Sequence, residues 1–317
     1  MQHLHELSQA NLPACLVTIG SFDGVHRGHK ILVQSMVESA GQEGVPSVVL
    51  TFFPHPSVVL RGRTPAFYIN TPDEKARLLG ELGVDLVVTQ HFDLELSRIK
   101  AQDFLALLRR HLAFTSLWIG EDFALGHQRE GNRLFLANAA LETGFRLQVM
   151  PPLNVGGEVV SSTRVRESLR SGDVSRAASY LGRPFALPGT VVKGSARGAK
   201  LGIPTANLSI WEERAFPGAG VYACWVNVDQ DWYQGVTNIG VRPTFERSES
   251  PPVVETHILD FEGDLYGKEI TLEFIAHLRD ERRFSGPAAL VTQIEKDIRR
   301  AREILDSDKE AQNDTSG

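Results

Sequence analysis

Sulfur is scarce in this chain, with two cysteines, Cys15 and Cys224, and three methionines among 317 residues. The cysteines stand in different halves, each in or beside a strand-like run. A disulfide framework and a thiolate metal site are therefore excluded as organising devices, and buried free thiols are expected. Long apolar runs are missing too: none approaches the roughly 20 residues of a membrane span. The opening MQHLHELSQANLPA lacks the basic flank, apolar stretch and small-residue cleavage site of a signal peptide, so a cytoplasmic location is expected. Positive charge is in deficit, with 33 Lys and Arg against 39 Asp and Glu and a net charge of −6. That balance argues against a general nucleic-acid binder, as the missing apolar runs argue against a membrane partner. Small anionic substrates stay open, because backbone dipoles can override net charge. There is no internal repeat and no extended low-complexity segment.

What is present divides in two. To about position 180, short strand-like runs (LVTIG at 16–20, SVVLTF at 47–52, VDLVVT at 84–89, SLWIG at 116–120, RLQVM at 146–150) alternate with helical patterns. The clearest helix begins at Thr71, which forms a capping box with Glu74; Pro72 takes the first helical position and Leu78, Leu79 and Leu82 supply an apolar stripe. This alternation predicts a parallel, helix-covered sheet. After GRPFALPG at 182–189 the texture changes to alternating strands with Gly, Pro and Asp turns, which predicts an antiparallel barrel or sandwich. GVYACWVNV at 220–228 alternates in this way, and DQD at 229–231 is a hairpin turn. Pro287 opens an amphipathic helix through Leu290, Ile294, Ile298, Ala301 and Leu305. The expected domains are 1–184 and 185–306, with a polar, disordered tail over 307–317.

Directly after the first of these runs comes Gly20-Ser21-Phe22-Asp23-Gly24-Val25-His26-Arg27-Gly28-His29. A strand feeding a glycine-rich turn and a helix is a phosphate-binding layout, because the helix N-terminus offers free N–H groups and a partial positive charge. The spacing is neither that of G-x-G-x-x-G nor that of a P-loop, since no G-K-[ST] follows. His26 and His29, three apart, share one face of the first turn and can touch one ligand. There they can hydrogen-bond phosphate oxygens and stabilise charge as pyrophosphate departs, which suits nucleotidyl transfer. By residue type alone the pair could instead ligate a metal, although no third ligand is evident. Later in the same half, Ser161-Ser162-Thr163 opens a helix carrying Arg164 and Arg166. The hydroxyls can simply cap that helix, or with the arginines grip phosphates.

In the strand-rich half, the loop from Gly194 to Gly202, which holds Lys200, is basic and glycine-spaced, and Pro204-Thr205-Ala206-Asn207 follows it. In an extended segment Thr205 and Asn207 share a face and can offer two oxygens to one Mg²⁺ holding ATP; as a composition they equally describe a surface turn. Glu255 lies in the otherwise apolar run from Val253 to Phe261. It can accept a proton from a substrate hydroxyl during phosphoryl transfer, or point to water from an edge strand.

GSFDGVHRGH and VSSTRVR resemble the two signatures of the nucleotidylyltransferase superfamily, and TFFPHP at 51–56 and GEDFALG at 120–126 resemble segments of the prokaryotic bifunctional riboflavin kinase/FAD synthetase family. PTAN, NIGVRPTF at 238–245, VETHILDF, DLYGKEI and LRDERRF resemble its riboflavin kinase module. Phe53 and Ala124-Leu125 depart from the family, which often has an acidic residue and Arg-Phe there. The resemblance covers residues 14 to about 305. It implies a Rossmann-like α/β nucleotidylyltransferase domain followed by a six-stranded barrel with a C-terminal helix. It further implies phosphorylation of riboflavin to FMN and adenylylation of FMN to FAD, with ATP as co-substrate, Mg²⁺ as cofactor, and a monomer or transient oligomer. In the first domain it assigns ATP to Gly20, Phe22, Asp23, Gly24, His26, Gly28, His29, Ser162, Thr163 and Arg166, and FMN to His55 and Asp122. His55, held between Pro54 and Pro56, is open to a structural reading as well. In the second, it assigns ATP to a flap from Gly189 to Gly202 with Lys193, Gly194 and Lys200, and Mg²⁺ to Thr205 and Asn207. Glu255 becomes the base, and Arg279 and Phe284 lie near the flavin; an ion pair and a core aromatic are the alternatives for those two. A transferase with another acceptor, a flavin-storing protein and an RNA-binding barrel are the rival readings.

Overall fold

A computed structural model describes residues 1–62, 67–194, 202–240 and 252–315. They form two compact units: the first ends at Ser162, and the second begins at Thr163 and takes in Phe67.

The first unit is a parallel sheet in the order β1 (Gln2–Leu4), β4 (Leu86–His91), β3 (Ser47–Phe53), β2 (Cys15–Ile19), β5 (Phe114–Gly120), β6 (Arg146–Met150). Every residue of β2 is buried, because helices cover both faces of the sheet. Alternation along the strands sorts the side chains into two cores. Leu16, Val49, Val87 and Trp118 pack with α1 (Arg27–Glu43) and α3 (Pro72–Glu81). Val17, Leu50, Val88 and Leu117 pack with α4 (Ala101–Leu112) and α5 (Arg133–Thr143). The chain reverses its direction of travel across the sheet between β2 and β5, which makes the crevice at their C-terminal ends the topological switch point. The capping box at Thr71 forms as the sequence predicts, with Glu74 N–H donating to Thr71 Oγ1 and Thr71 N–H to the Glu74 carboxylate. The edge strand β1 was not expected from QHL; it is three residues long and docks through main-chain pairing to β4 and a bond between His3 Nε2 and Thr89 Oγ1 (2.8 Å).

A short hairpin of β7 (Asn154–Val155) and β8 (Glu158–Val159) follows the sheet, and α6 (Ser162–Arg170) begins at the last residue of the first unit; the second unit goes on through α7 (Val174–Leu181) and closes a barrel in the order β10 (Ala206–Ser209), β13 (Val253–Ile258), β12 (Asp231–Gly240), β11 (Gly220–Val228), β14 (Glu269–Arg279), β9 (Phe185–Val192). All its pairings are antiparallel, and β9 pairs back with β10, so one sheet closes on itself: the barrel reading holds and the sandwich alternative falls away. Asp229 and Gln230 take left-handed backbone angles (φ 50° and 78°) between β11 and β12, the geometry of a two-residue hairpin turn. Buried Thr237 and Thr256 satisfy each other across β12 and β13 (3.0 Å). Both cysteines are free and buried, as expected. The compact units divide ahead of the expected 184/185 boundary because α7 packs on β14 and β9 and the Gly218 N–H bonds Leu169 O of α6 (2.8 Å).

The C-terminal helix, α8 (Pro287–Thr315), lays Ala301 and Leu305 on Val221, Ala223 and Val236 of the barrel's outer face. It runs on through the segment expected to be a disordered tail. No glycine or proline interrupts it there, and two barrel side chains hold it: Trp225 Nε1 donates to Asp308 (2.8 Å) and Gln234 Nε2 to Asp306 (2.7 Å). Asp308→Ala is expected to cost about 1 kcal/mol, the net worth of one such bond, and to change the fluorescence of Trp225. Urea unfolding followed by tryptophan emission reads both; wild-type stability would show that the tail contributes nothing.

Candidate active sites

The turn from Gly20 to His26 leaves the buried end of β2 and enters α1. Phe22 (φ 46°), Gly24 (φ 84°) and Val25 (φ 41°) all adopt left-handed angles. For a residue with a side chain this costs about 1–3 kcal/mol. Phe22 and Val25 are buried in the core beneath α1, a gain of about 1.5–3 kcal/mol each, so apolar burial roughly offsets the strain without exceeding it. Polar ties add to it. Asp23, itself buried, accepts the Ile69 N–H on Oδ1 (3.0 Å), while its carbonyl accepts Ser162 Oγ (2.8 Å). Thr51 Oγ1 donates to Ser21 O (3.0 Å).

His26 is the N-cap of α1, its Nδ1 accepting the His29 N–H (3.3 Å), so a neutral His26 carries its proton on Nε2. The two imidazoles stack with centroids 3.5 Å apart and planes 14° from parallel, and Phe22 meets His29 edge-on at 5.0 Å. His29 Nδ1 is buried and has no hydrogen-bond partner among the described residues. Burial first, then the charges of His26 and Lys75, hold the His29 pKa well below the usual histidine value. Among the described residues no group of three or more His, Cys, Asp or Glu is arranged around a metal, so the pair has no third protein ligand there. A neutral, desolvated imidazole at a helix N-terminus is prepared for an anion that brings its own charge.

His55 caps α2 (Pro56–Arg61), its Nδ1 accepting the Ser57 N–H (3.0 Å), while its own N–H donates to Tyr68 Oη (3.0 Å). Beside it, at the ends of β3, β4 and β5, Phe52, Pro56, Phe92, Phe104, Phe123 and Leu125 help line a cavity of about 360 Å³. Its neighbours Pro56 and Ser57 line this cavity; His55 itself does not. Ala124 and Leu125 do, so that departure from the family pattern falls on its wall, whereas Phe53 is not among the lining residues. Asp122 is exposed and faces an adjoining open groove with Asn132 and Arg133, its carbonyl held by Arg129 Nη2 (2.6 Å). The structure therefore brings Gly20, Phe22, Asp23, Gly24, His26, Gly28, His29 and Ser162 into one site and leaves Asp122 outside the aromatic cavity. Thr163 and Arg166 belong to the second unit, where the Arg166 guanidinium lies 4.1 Å over the Phe67 ring.

On the barrel, strand register sets Asn207 beside Glu255 and Glu255 beside Asn238, one polar row across β10, β13 and β12. Neighbours along these strands (Leu208, Val254, Ile239) are buried, so the row faces the outside of the barrel. Glu255 is thus on a central strand, which removes the edge-strand reading. Thr205 lies just before β10 and lines a cavity of about 170 Å³ with Phe261 and Tyr266; Pro204 O next to it accepts from His257 Nδ1 (2.7 Å). Gly194 passes so close to Asn207 that a Cβ there would collide with the side-chain amide. Gly189 sits within β9 opposite Ile270, where a Cβ would be 3.0 Å from Ser209 O: a packing position in the barrel wall rather than a loop. Lys193 is exposed and Gly202 has φ 77°. Lys200, most of its loop and residues 241–245 lie outside the described residues. Arg279 makes a two-pronged ion pair with buried Asp297 of α8 (2.9 and 2.8 Å), and its guanidinium lies 5.6 Å over Phe284. The ion-pair reading fits Arg279, whose Nη1 also donates to Asp280 O (3.0 Å), whereas Phe284 is only half-buried beneath Arg279 and Arg282 and is not a core aromatic.

Sequence reasoning passed over Lys75. It belongs to α3, is 6% exposed, and its Nζ donates to Ser21 O (3.0 Å) and Phe52 O (3.3 Å). Burial pushes its pKa down to about 8, opposed by Asp23. An ionisable residue on the apolar stripe of a helix, four before Leu79, was the available signal. Asn238 was visible only as part of a motif, because its place beside Glu255 depends on strand register.

A doubly wound sheet with a strained, histidine-bearing turn at its switch point, joined in one chain to a barrel bearing a carboxylate and amide row, defines a two-site transferase. Residues 8–164 match the family model for FAD synthetase and residues 181–305 that for riboflavin kinase. The bifunctional riboflavin kinase/FMN adenylyltransferase of Escherichia coli (strain K12) is 38% identical over 97% of this chain and 98% of its own length. That of Pseudomonas fluorescens is 38% identical over 92% of this chain and 93% of its own. A crystal structure described as a macrolide-efflux protein from Streptococcus pneumoniae aligns with a TM-score of 0.87 and 28% identity, covering 95% of this chain and 98% of that one. No helix among the described residues is long and apolar enough to cross a membrane. The chain belongs to the bifunctional riboflavin kinase/FMN adenylyltransferase family, with an N-terminal FAD synthetase and a C-terminal riboflavin kinase domain.

Gly194→Ala is expected to swing the Asn207 amide out of its row and lower riboflavin kinase activity at least tenfold, while FAD synthesis and melting temperature stay near wild type. Undiminished kinase activity would show that Asn207 need not occupy that place.

Proposed function

We propose that the stacked histidines at the start of α1 carry adenylyl transfer, and that the Asn207–Glu255 row carries phosphoryl transfer to riboflavin. The observation that bears most on the first is the buried, unpartnered Nδ1 of His29 beside the free N–H groups of a helix N-terminus. A triphosphate answers both needs, supplying acceptors and negative charge. Its charge favours the imidazolium, so His29 gains a proton as ATP arrives and neutralises the pyrophosphate as it leaves. The FMN phosphate attacks the α-phosphorus in line, the new P–O bond forming as the bond to the departing pyrophosphate breaks; the protein positions and neutralises, without a covalent intermediate. The aromatic cavity beside His55 suits the flavin ring, and Ser162, tied to Asp23 O, holds the far side of the turn.

In the barrel, Thr205 and Asn207 offer a hydroxyl and an amide oxygen, the hard donors that Mg²⁺ takes. When bound, Mg²⁺ supplies charge neutralisation on the ATP phosphate oxygens. Glu255 accepts the proton of the terminal ribityl hydroxyl as that oxygen attacks the γ-phosphorus. Gly194 keeps the start of the flap against Asn207, and Lys193 and Lys200 supply charge towards the phosphates. Arg279 shapes the neighbouring loop around Phe284 through Asp297, acting on the flavin indirectly. The enzyme in this reading works in the cytoplasm on free riboflavin, FMN and ATP, as a monomer or transient oligomer, without nucleic acid or membrane partners; its net charge of −6 supports that.

His29→Ala is expected to abolish FAD formation and spare FMN formation, and Glu255→Ala to do the reverse. Chromatography of products from riboflavin with Mg-ATP, and separately from FMN with Mg-ATP, reads each activity. Loss of both in a well-folded His29→Ala enzyme would contradict the division.

A further inference from the structure

We infer that Lys75 is a positioning residue for adenylyl transfer, its ammonium locking the left-handed turn that carries His26 and His29 to the end of β3. The inference rests on the assignment of adenylyl transfer to that turn. Burying an ammonium is costly unless its donors are satisfied, and a lysine at a buried position of a helix needs a reason. Here the donors go to two main-chain carbonyls, those of Ser21 and Phe52. Ser21 stands immediately before Phe22, the first of the left-handed residues, and also accepts the Thr51 hydroxyl. Phe52 is next to last in β3, on the strand that leads to His55. One cation therefore ties the turn leaving β2 to the end of the adjacent parallel strand β3, on the side where the histidines sit.

The electrostatic surroundings agree with this placement. Asp23, in the turn itself, is the carboxylate that acts on Lys75, and the Lys75 charge is felt in turn by His29 and by His3 on the edge strand. The strain in Phe22 and Val25 is only about matched by their burial, so the polar ties decide whether the turn holds its form. Without Lys75, Ser21 O keeps Thr51 alone and Phe52 O loses this donor. The α1 N–H groups that meet the nucleotide remain, but the relation of the histidine pair to the reacting phosphorus slackens. The loss then falls on the rate of the step rather than on nucleotide binding.

Lys75→Met keeps an unbranched stem at this buried position of α3 and removes the donors. In the full-length enzyme the expected result is a fall in kcat for FAD synthesis of tenfold or more. The KM for ATP should stay within threefold, riboflavin kinase activity should be unchanged, and the ring-proton shifts of the stacked His26 and His29 should move in NMR spectra. Wild-type kcat, a proportional rise in the KM for ATP, loss of kinase activity together with FAD synthesis, or an undisturbed histidine stack would each overturn the inference. Should Lys75→Met fail to fold, Thr51→Val removes the other side-chain donor to Ser21 O. It must then show the same split between kcat and KM, and a wild-type kcat there overturns the inference equally. If instead His29→Ala spares FAD synthesis, it is the assignment of the turn that fails, a result separable from any outcome at Lys75.

Discussion

The N-terminal unit depends on one awkward reversal. Between the buried end of β2 and the first turn of α1, three residues, Phe22, Gly24 and Val25, take left-handed angles, and two of them carry side chains. Glycine at all three would relieve the strain but remove the two apolar anchors that fix the turn to the core beneath α1. The chain instead keeps the anchors, accepts the strain, and ties the backbone through Thr51, Asp23, Lys75 and Ser162. The outcome is a helix N-terminus fixed at the switch point of a parallel sheet, with two imidazoles stacked on it. Under the proposed function, this turn would hold phosphate through main-chain dipoles and desolvated histidines where other folds use a P-loop lysine.

The barrel reaches its chemistry by a different route. Its interior is filled by buried side chains such as Tyr222, Leu272 and Phe274, so polar function is confined to the outer wall and the loops. Strand register gathers Asn207, Glu255 and Asn238 from three strands far apart in sequence. α8 covers the neighbouring part of that outer face, and the Arg279–Asp297 pair fastens the strand before it to the helix. Each unit thus has its own core and its own site, consistent with two activities in one chain.

Much of this was legible in the sequence. The strand runs were readable because buried parallel strands are apolar throughout, and the Thr71 helix because its cap uses local chemistry. The histidine pair could be read because turn, strand and helix all lie within one short segment. What was not legible depends on tertiary placement. QHL is too short and polar to announce β1, and nothing local in the last residues reveals that Trp225 and Gln234 hold them as helix. Lys75 drew no reading from the sequence, because its partners, the carbonyls of Ser21 and Phe52, come from distant segments that only the fold brings to it. Gly189 and Arg279 fitted a ligand-binding pattern by resemblance, whereas the structure gives one to barrel packing and the other to an ion pair. The aromatic cavity was unreadable for the same reason, its Phe residues coming from four separate segments.

The central claim is that the turn holds His29 desolvated and neutral until a triphosphate charges it. Ring nitrogen and proton shifts of His29, followed against pH with and without a non-hydrolysable ATP analogue, test this directly. The account predicts a neutral imidazole at pH 7 in the free enzyme, because burial depresses its pKa, and a pKa that rises when the nucleotide binds. A His29 already protonated at pH 7 in the free enzyme, or one whose titration ignores the nucleotide, would contradict it.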